Sequence, residues 1–273
     1  MPYFAACGCF LHTSQCRCGV WGTRHAFFWQ LSFNLGTTQL KKFLVTVLAA
    51  APFALLWANS AIAMDIEARA PFVILSGSVT GTELRQLKDV IDNNPGITTV
   101  VLKNSRGGDA RTGYAVGEYI REKGLSTAVS GFCRSSCSRM FLGGKTRSIS
   151  NDQPMDKTYV AFHGNYANDG RLIQANMPAL KVWLIKFSDG KADPKLIDQW
   201  VNLENHSGFA YFYHPQANIE AGPHRVLLCQ GGEDPKSRLQ QCAKPELGDA
   251  LANGILTTLE IVDMKRLSEQ NKP

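Results

Sequence analysis

Three stretches decide the fold: TTVVLKNSRGG at residues 98–108, STAVSGFCRSSCSRMFLGG at 126–144 and YVAFH at 159–163. Each contains a run of β-branched and apolar residues, Thr98–Leu102, Ser126–Val129 and Tyr159–Phe162, which reads as a buried strand. Asn104–Gly108 reads as a tight loop. The helix after it turns Val116, Tyr119 and Ile120 inward and stops at Lys123-Gly124. Cys133 to Leu142 reads as a further helix, ended by Gly143-Gly144. Upstream, Phe72–Leu75 is a strand, and Gly77 and Gly81 break the chain around Ser78-Val79-Thr80. Thr82 then caps a helix with Leu84, Leu87, Val90 and Ile91 on one face. This alternation implies βαβ units with right-handed crossovers.

The part beyond His163 is more helical. Leu180, Trp183, Leu184 and Phe187 form one apolar stripe. Asp193-Pro194 is an N-cap followed by Pro at the first helical position, opening a helix through Ile197, Trp200 and Val201. Glu246 to Asn253 reads as a last short helix, with Gly254 as its C-cap. Residues 64–273 therefore read as a single α/β domain with a stapled insertion at about 211–244.

The 273 residues carry a net charge of +6 with an ordinary globular composition, which excludes a disordered or fibrous chain. Residues 1–63 hold Arg17, Arg24, Lys41 and Lys42 and no acid, so the rest is nearly balanced. With no Lys/Arg cluster in that body, nucleic-acid binding is not expected. Lys41-Lys42, the apolar run Phe43–Ala58 and Ala61-Ile62-Ala63 make the three parts of a secretory signal peptide at 41–63, cleaved after Ala63. An uncleaved membrane anchor is the alternative. A signal peptide belongs at a chain's start. Residues 1–40, with two Cys-x-Cys pairs and no hydrophobic period, are therefore expected to lie outside the mature protein, translation starting near Leu35 or Leu40. The expected location is exported, periplasmic or secreted.

Export leaves Cys133, Cys137, Cys229 and Cys242, an even number in an oxidising compartment. Four cysteines allow three pairings, and free buried thiols are a fourth possibility. Asn104–Gly108, Cys133–Cys137 and His163 each follow a strand, and sites in open α/β sheets form beyond the strands' carboxyl ends. A serine at a helix start has unpaired backbone N–H groups and the helix dipole beside it. Histidine is the natural base near neutral pH. Singly, each feature has a plain structural reading: a turn, a helix cap, a core histidine.

Together, the run from Val100 to Ile149 and Tyr159–Gly164 resembles the Clp-type serine proteases, which have a crotonase-like ββα spiral fold. The resemblance covers about residues 72–164, with a weaker echo in PELGDALANGIL at 245–256. It looks closest to an exported branch with Cys-x-Ser-x-Cys around the nucleophile. It implies Ser135 as nucleophile, His163 as base, and Gly108 and Ser136 as donors of the oxyanion hole. The family's catalytic Asp has no clear counterpart; Glu204 falls nearest, with Asn205 and His206 adjacent. The family's usual Pro in the glycine loop is Arg106 here. On this resemblance a Cys133–Cys137 disulfide clamps the turn carrying Ser135.

The implied function is a serine peptidase or hydrolase acting on peptides or proteins, without a cofactor and as a homo-oligomer. One variant uses a lysine base, Lys181 or Lys186; another makes Cys137 the nucleophile. The contrasting reading is an inactive crotonase-like binding or scaffold protein. No metal site is expected, because His206, His214 and His224 lack ligand spacing. Membrane contact is expected only through an uncleaved signal segment. The aromatic run Phe209–Tyr213 reads as core, interface or lid.

Overall fold

The computed structural model describes residues 63–264 and two two-residue strands nearer the start. Those strands, β1 (Cys7–Gly8) and β2 (Arg17–Cys18), pair antiparallel within a separate unit, residues 1–59. The expected signal segment lies outside the described residues except for Ala63. Among the described residues, no helix is long and apolar enough to cross a membrane.

The second unit is a mixed α/β fold on a nine-stranded sheet. Its first elements are β3 (Asp65–Arg69), β4 (Phe72–Val79), α1 (Glu83–Asn93), β5 (Thr99–Gly108), α2 (Ala110–Glu122), β6 (Ser126–Arg134) and α3 (Ser136–Leu142). Next come β7 (Arg147–Ser150), β8 (Tyr159–Phe162), α4 (Met177–Phe187), α5 (Pro194–Val201), β9 (Phe209–Tyr213), β10 (Val226–Cys229), α6 (Arg238–Gln241) and β11 (Ile261–Val262). The strand order is β10-β9-β8-β6-β5-β4-β3, with β7 pairing to β6 and β11. Strands β4, β5, β6 and β8 run parallel; β3, β9 and β10 add antiparallel edges.

The central strands are apolar on both faces because both are covered. Val73, Leu75, Val100, Leu102 and Val129 join the helical core with Val116, Ile120, Phe141, Leu184 and Trp200. Tyr159, Tyr211, Tyr213, Leu227 and the Cys229–Cys242 disulfide form a second core with Ile219 and Ala221.

Strand β6 positions the site by changing neighbours. Thr127–Val129 pair with β7, whereas Phe132–Arg134 pair with β8. The register shift opposite, between Lys103 and Ser105, lets β5 follow it to Gly108. The strands therefore outlast the sequence reading: Asn104–Gly108 is strand with an irregularity rather than a loop, and Gly77 sits at a register shift inside β4. Likewise Cys133 and Arg134 end a strand, and the helix starts only at Ser136.

Three more expectations are corrected. Phe209–Tyr213 and Val226–Cys229 belong to the main sheet, so the stapled segment is the 229–242 loop rather than 211–244. Residues 246–249 are irregular and 250–254 form a turn, because Gly248 takes φ +84° and the Asn253 side chain instead donates to the Leu247 and Asp249 carbonyls. Thr82 makes no side-chain cap; the buried Glu83 carboxylate takes the Thr80 and Gly81 N–H groups. Asp193 caps α5 as expected, accepting from the Lys195 and Leu196 amides.

Candidate active site

Ser135 is the single residue between the end of β6 and the start of α3. Its φ is +54°, a conformation that costs a non-glycine residue about 1–3 kcal/mol unless its surroundings enforce it. They do so from both sides. The Ser135 N–H donates to the Ala161 carbonyl on β8 at 3.0 Å. The Ser135 carbonyl accepts from the Ser138 amide at 3.0 Å and the Ser138 hydroxyl at 2.6 Å. The Cys133–Cys137 disulfide, with its Cα atoms 5.3 Å apart, ties the last residues of the strand to the first turn of the helix. Both cysteines are fully buried, and Cys137 has no thiolate to offer.

His163 follows β8 directly, so the parallel pairing of β6 with β8 brings it beside Ser135. Its Nε2 lies 2.7 Å from the Ser135 Oγ, and its Nδ1 lies 3.1 Å from the His206 carbonyl oxygen. A carbonyl only accepts, so Nδ1 carries the proton and Nε2 presents a lone pair to the serine hydroxyl. The ring stacks on Phe209 at 4.3 Å and meets Tyr166 at 4.8 Å between centroids. Burial, followed by the Arg139 charge, pushes the imidazole down to about 3.

Glu204 is not the group that orients the ring: its side chain is exposed, and the His206 main chain takes Nδ1. A tight turn aims that carbonyl. Gly208 N donates to the Asn205 carbonyl at 2.8 Å, and Ser207 N to the Asn205 side chain at 2.9 Å. The orienting atom thus comes from the expected segment, but from its backbone.

The glycine loop packs directly on the serine turn. A Cβ on Gly107 would lie 2.6 Å from the Arg134 carbonyl oxygen and 2.9 Å from Ser136 N. Asp109 N donates to the Val79 carbonyl at 2.9 Å, and Gly108, at φ +149°, lies against that carbonyl, where a Cβ would stand 2.1 Å from its oxygen. Ser136 N is at the first position of α3, where an amide has no intrahelical acceptor. Gly108 lines a cavity of about 390 Å³ together with Ser135, His163, Asn165, Tyr166 and His206, and Ser136 is buried directly behind Ser135. Arg106 is exposed, and Gly107 beside it is buried against the serine turn.

Sequence reasoning missed Arg139, Asn165 and Tyr166. Arg139 is 2% exposed; its Nη2 donates to the His163 carbonyl at 3.2 Å and to the Asn165 side chain at 3.0 Å. An arginine within the buried helix SCSRMFL was the available signal. Tyr166 donates its hydroxyl to the Leu203 carbonyl at 2.5 Å and so ties the loop after His163 to the 203–206 segment. Lys181 pairs with Asp198, and Lys186 lies over Phe187. His214 is buried with its Nδ1 accepting from Gln216 N. Glu233 lies beside Cys229 and Cys242, but those sulfurs are joined and the carboxylate takes the Gln230 and Gly231 amides.

No family model and no curated protein matches the chain. Solved structures resemble it at low identity. ClpP1 from Listeria monocytogenes is 12% identical, over 48% of this chain and 79% of that one, with a TM-score of 0.36. A membrane-bound stomatin-specific protease is 10% identical, over 72% and 81%, with a TM-score of 0.40. A protein described as an enoyl-CoA hydratase from Streptomyces avermitilis is 12% identical, over 57% and 64%, with a TM-score of 0.37. The likeness is one of fold.

Proposed function

We propose that the chain is a serine hydrolase that cleaves peptides or proteins through a Ser135–His163 dyad. The observation that carries this reading is the 2.7 Å contact between the Ser135 Oγ and an imidazole Nε2 whose other nitrogen is held by a carbonyl. Nε2 takes the serine proton as Oγ attacks the substrate carbonyl carbon. The resulting oxyanion accepts from the Gly108 and Ser136 amides, which are fixed before substrate arrives. The imidazolium then gives its proton to the leaving amine, and a water molecule activated by the same nitrogen hydrolyses the acyl-enzyme. No step needs a metal or cofactor.

The peptide class, and a homo-oligomeric assembly, rest on the resemblance of residues 72–164 to Clp-type proteases. The disulfide at the nucleophile favours an oxidising compartment, consistent with the signal-like segment at 41–63. N-terminal sequencing of the mature protein is expected to begin at Met64; a peptide from residues 1–34 contradicts export by this signal.

A fluorophosphonate probe tests the dyad itself. Oxidised wild type is expected to form a single adduct, mapped by mass spectrometry to Ser135 and absent from Ser135→Ala. A folded, oxidised wild type that takes no label contradicts the reading and favours a binding scaffold.

A further inference from the structure

Arg139 presents a problem that the dyad does not explain. Its guanidinium is buried, yet no carboxylate among the described residues bonds to it. Only Nη2 has partners, the His163 carbonyl and the Asn165 side chain; Nε and Nη1 are buried without any. The group lies 5.2 Å from the centre of the Tyr114 ring, a weak compensation for lost hydration. An unpaired buried charge costs stability. Something other than stability must account for it, and its neighbour is the base.

We propose that Arg139 is a positioning residue that holds the His163 main chain and keeps the imidazole uncharged, so that the dyad stays competent in acidic surroundings. This inference rests on the dyad reading above. A triad with a carboxylate at Nδ1 stabilises the protonated ring; here a neutral carbonyl holds Nδ1 and the Arg139 guanidinium sits on the main-chain carbonyl of the same residue. The groups facing His163 are few. Ser135 lies on the serine turn, Arg139 on α3, and Tyr166 on the loop after β8. His206 lies before β9, and Phe209 on β9 is apolar. Asp169, at the cavity rim, is taken up by Arg171, and Asp109 by the Thr112 amide. Among these described neighbours no free carboxylate favours imidazolium. Burial and Arg139 both act against it, and both push the ring down, to about 3.

The linkage has a sign. The unfolded chain binds the proton near the ordinary value of 6.5, before the folded ring does. Folding stability therefore falls as the pH drops from that value toward 3.

The experiment is NMR titration of the His163 ring in wild type, Arg139→Met and Arg139→Lys. Fluorophosphonate labelling rates are measured alongside between pH 5 and 8. The wild-type ring is expected to stay neutral throughout, and the labelling rate to change less than about twofold, since no base is being protonated. Arg139→Met is expected to fold, because a neutral side chain relieves an unpaired charge, and to raise the ring's titration by about one unit or more. Arg139→Lys restores the charge and is expected to return the titration to the wild-type range. A wild-type ring that titrates at its ordinary value overturns the proposal. So does Arg139→Met titrating like wild type, or failing to fold. The ring titration needs no turnover. An unlabelled protein with a neutral ring at pH 5 would remove the hydrolase reading alone, and a labelled one with a charged ring would remove this inference alone.

Discussion

His163→Ala is expected to slow fluorophosphonate labelling of Ser135 by at least about tenfold at pH 7.5, because it removes the positioned general base. A serine hydroxyl is almost wholly protonated at that pH. Its reactivity depends on the lone pair that Nε2 presents at 2.7 Å. The substitution removes that lone pair while leaving the Gly108 and Ser136 amides in place, so a residual rate from oxyanion stabilisation remains. The fold is expected to persist. The Ser135 backbone is anchored by Ala161, Ser138 and the Cys133–Cys137 disulfide, none of which involves the imidazole. A near-UV spectrum checks this. A loss smaller than tenfold would mean that another group activates the serine.

Gly113→Ala is expected to destabilise the fold, and to reach the site through one atom of backbone. Gly113 and Gly117, one turn apart on α2, face the main chain of α3. A Cβ on Gly113 would stand 2.5 Å from the Ser136 carbonyl oxygen and 2.8 Å from its Cβ. Those atoms belong to backbone and to a buried side chain, so relief requires moving α3. Overpacking of this kind costs about 1–3 kcal/mol, and it displaces the residue whose amide is the proposed oxyanion donor. Urea unfolding should show the loss, and labelling of Ser135 should fall with it. Gly232→Ala is the control, since nothing lies within 4 Å of its added carbon. Equal stability for the two variants would contradict the close packing of α2 on α3.

Much of this arrangement is legible in the sequence, and what is not has physical causes. Thr99–Leu102, Ser126–Val129 and Tyr159–Phe162 are strands because β-branched and apolar residues suit positions buried on both faces. The segments carrying Ser135 and His163 could be brought together because each follows such a strand, where the parallel sheet brings chain ends together, whereas the choice of Ser135 within its segment rests on the resemblance to Clp-type proteases. The orienting group could not be read, because a carbonyl belongs to every residue. Alignment with the Clp-type pattern points to Glu204, Asn205 or His206 by side chain, whereas the Asn205–Gly208 turn supplies the main-chain oxygen of His206. The run Phe209–Tyr213 has no alternation, since it too is buried on both sides, and so gives no period to identify it as part of the sheet. The helix expected over 246–253 fails at one residue, Gly248, whose positive φ no α-helix accommodates. Gly113 and Gly117 read as mild weaknesses in a helix; their purpose appears only when α3 lies against them.

The structure of the phosphonylated protein tests the central claim most directly. The account predicts one covalent bond, from Ser135 Oγ to phosphorus, with the phosphoryl oxygen about 2.7–3.1 Å from both the Gly108 and Ser136 nitrogens. An adduct on any other residue, or a phosphoryl oxygen turned away from both amides, would contradict it.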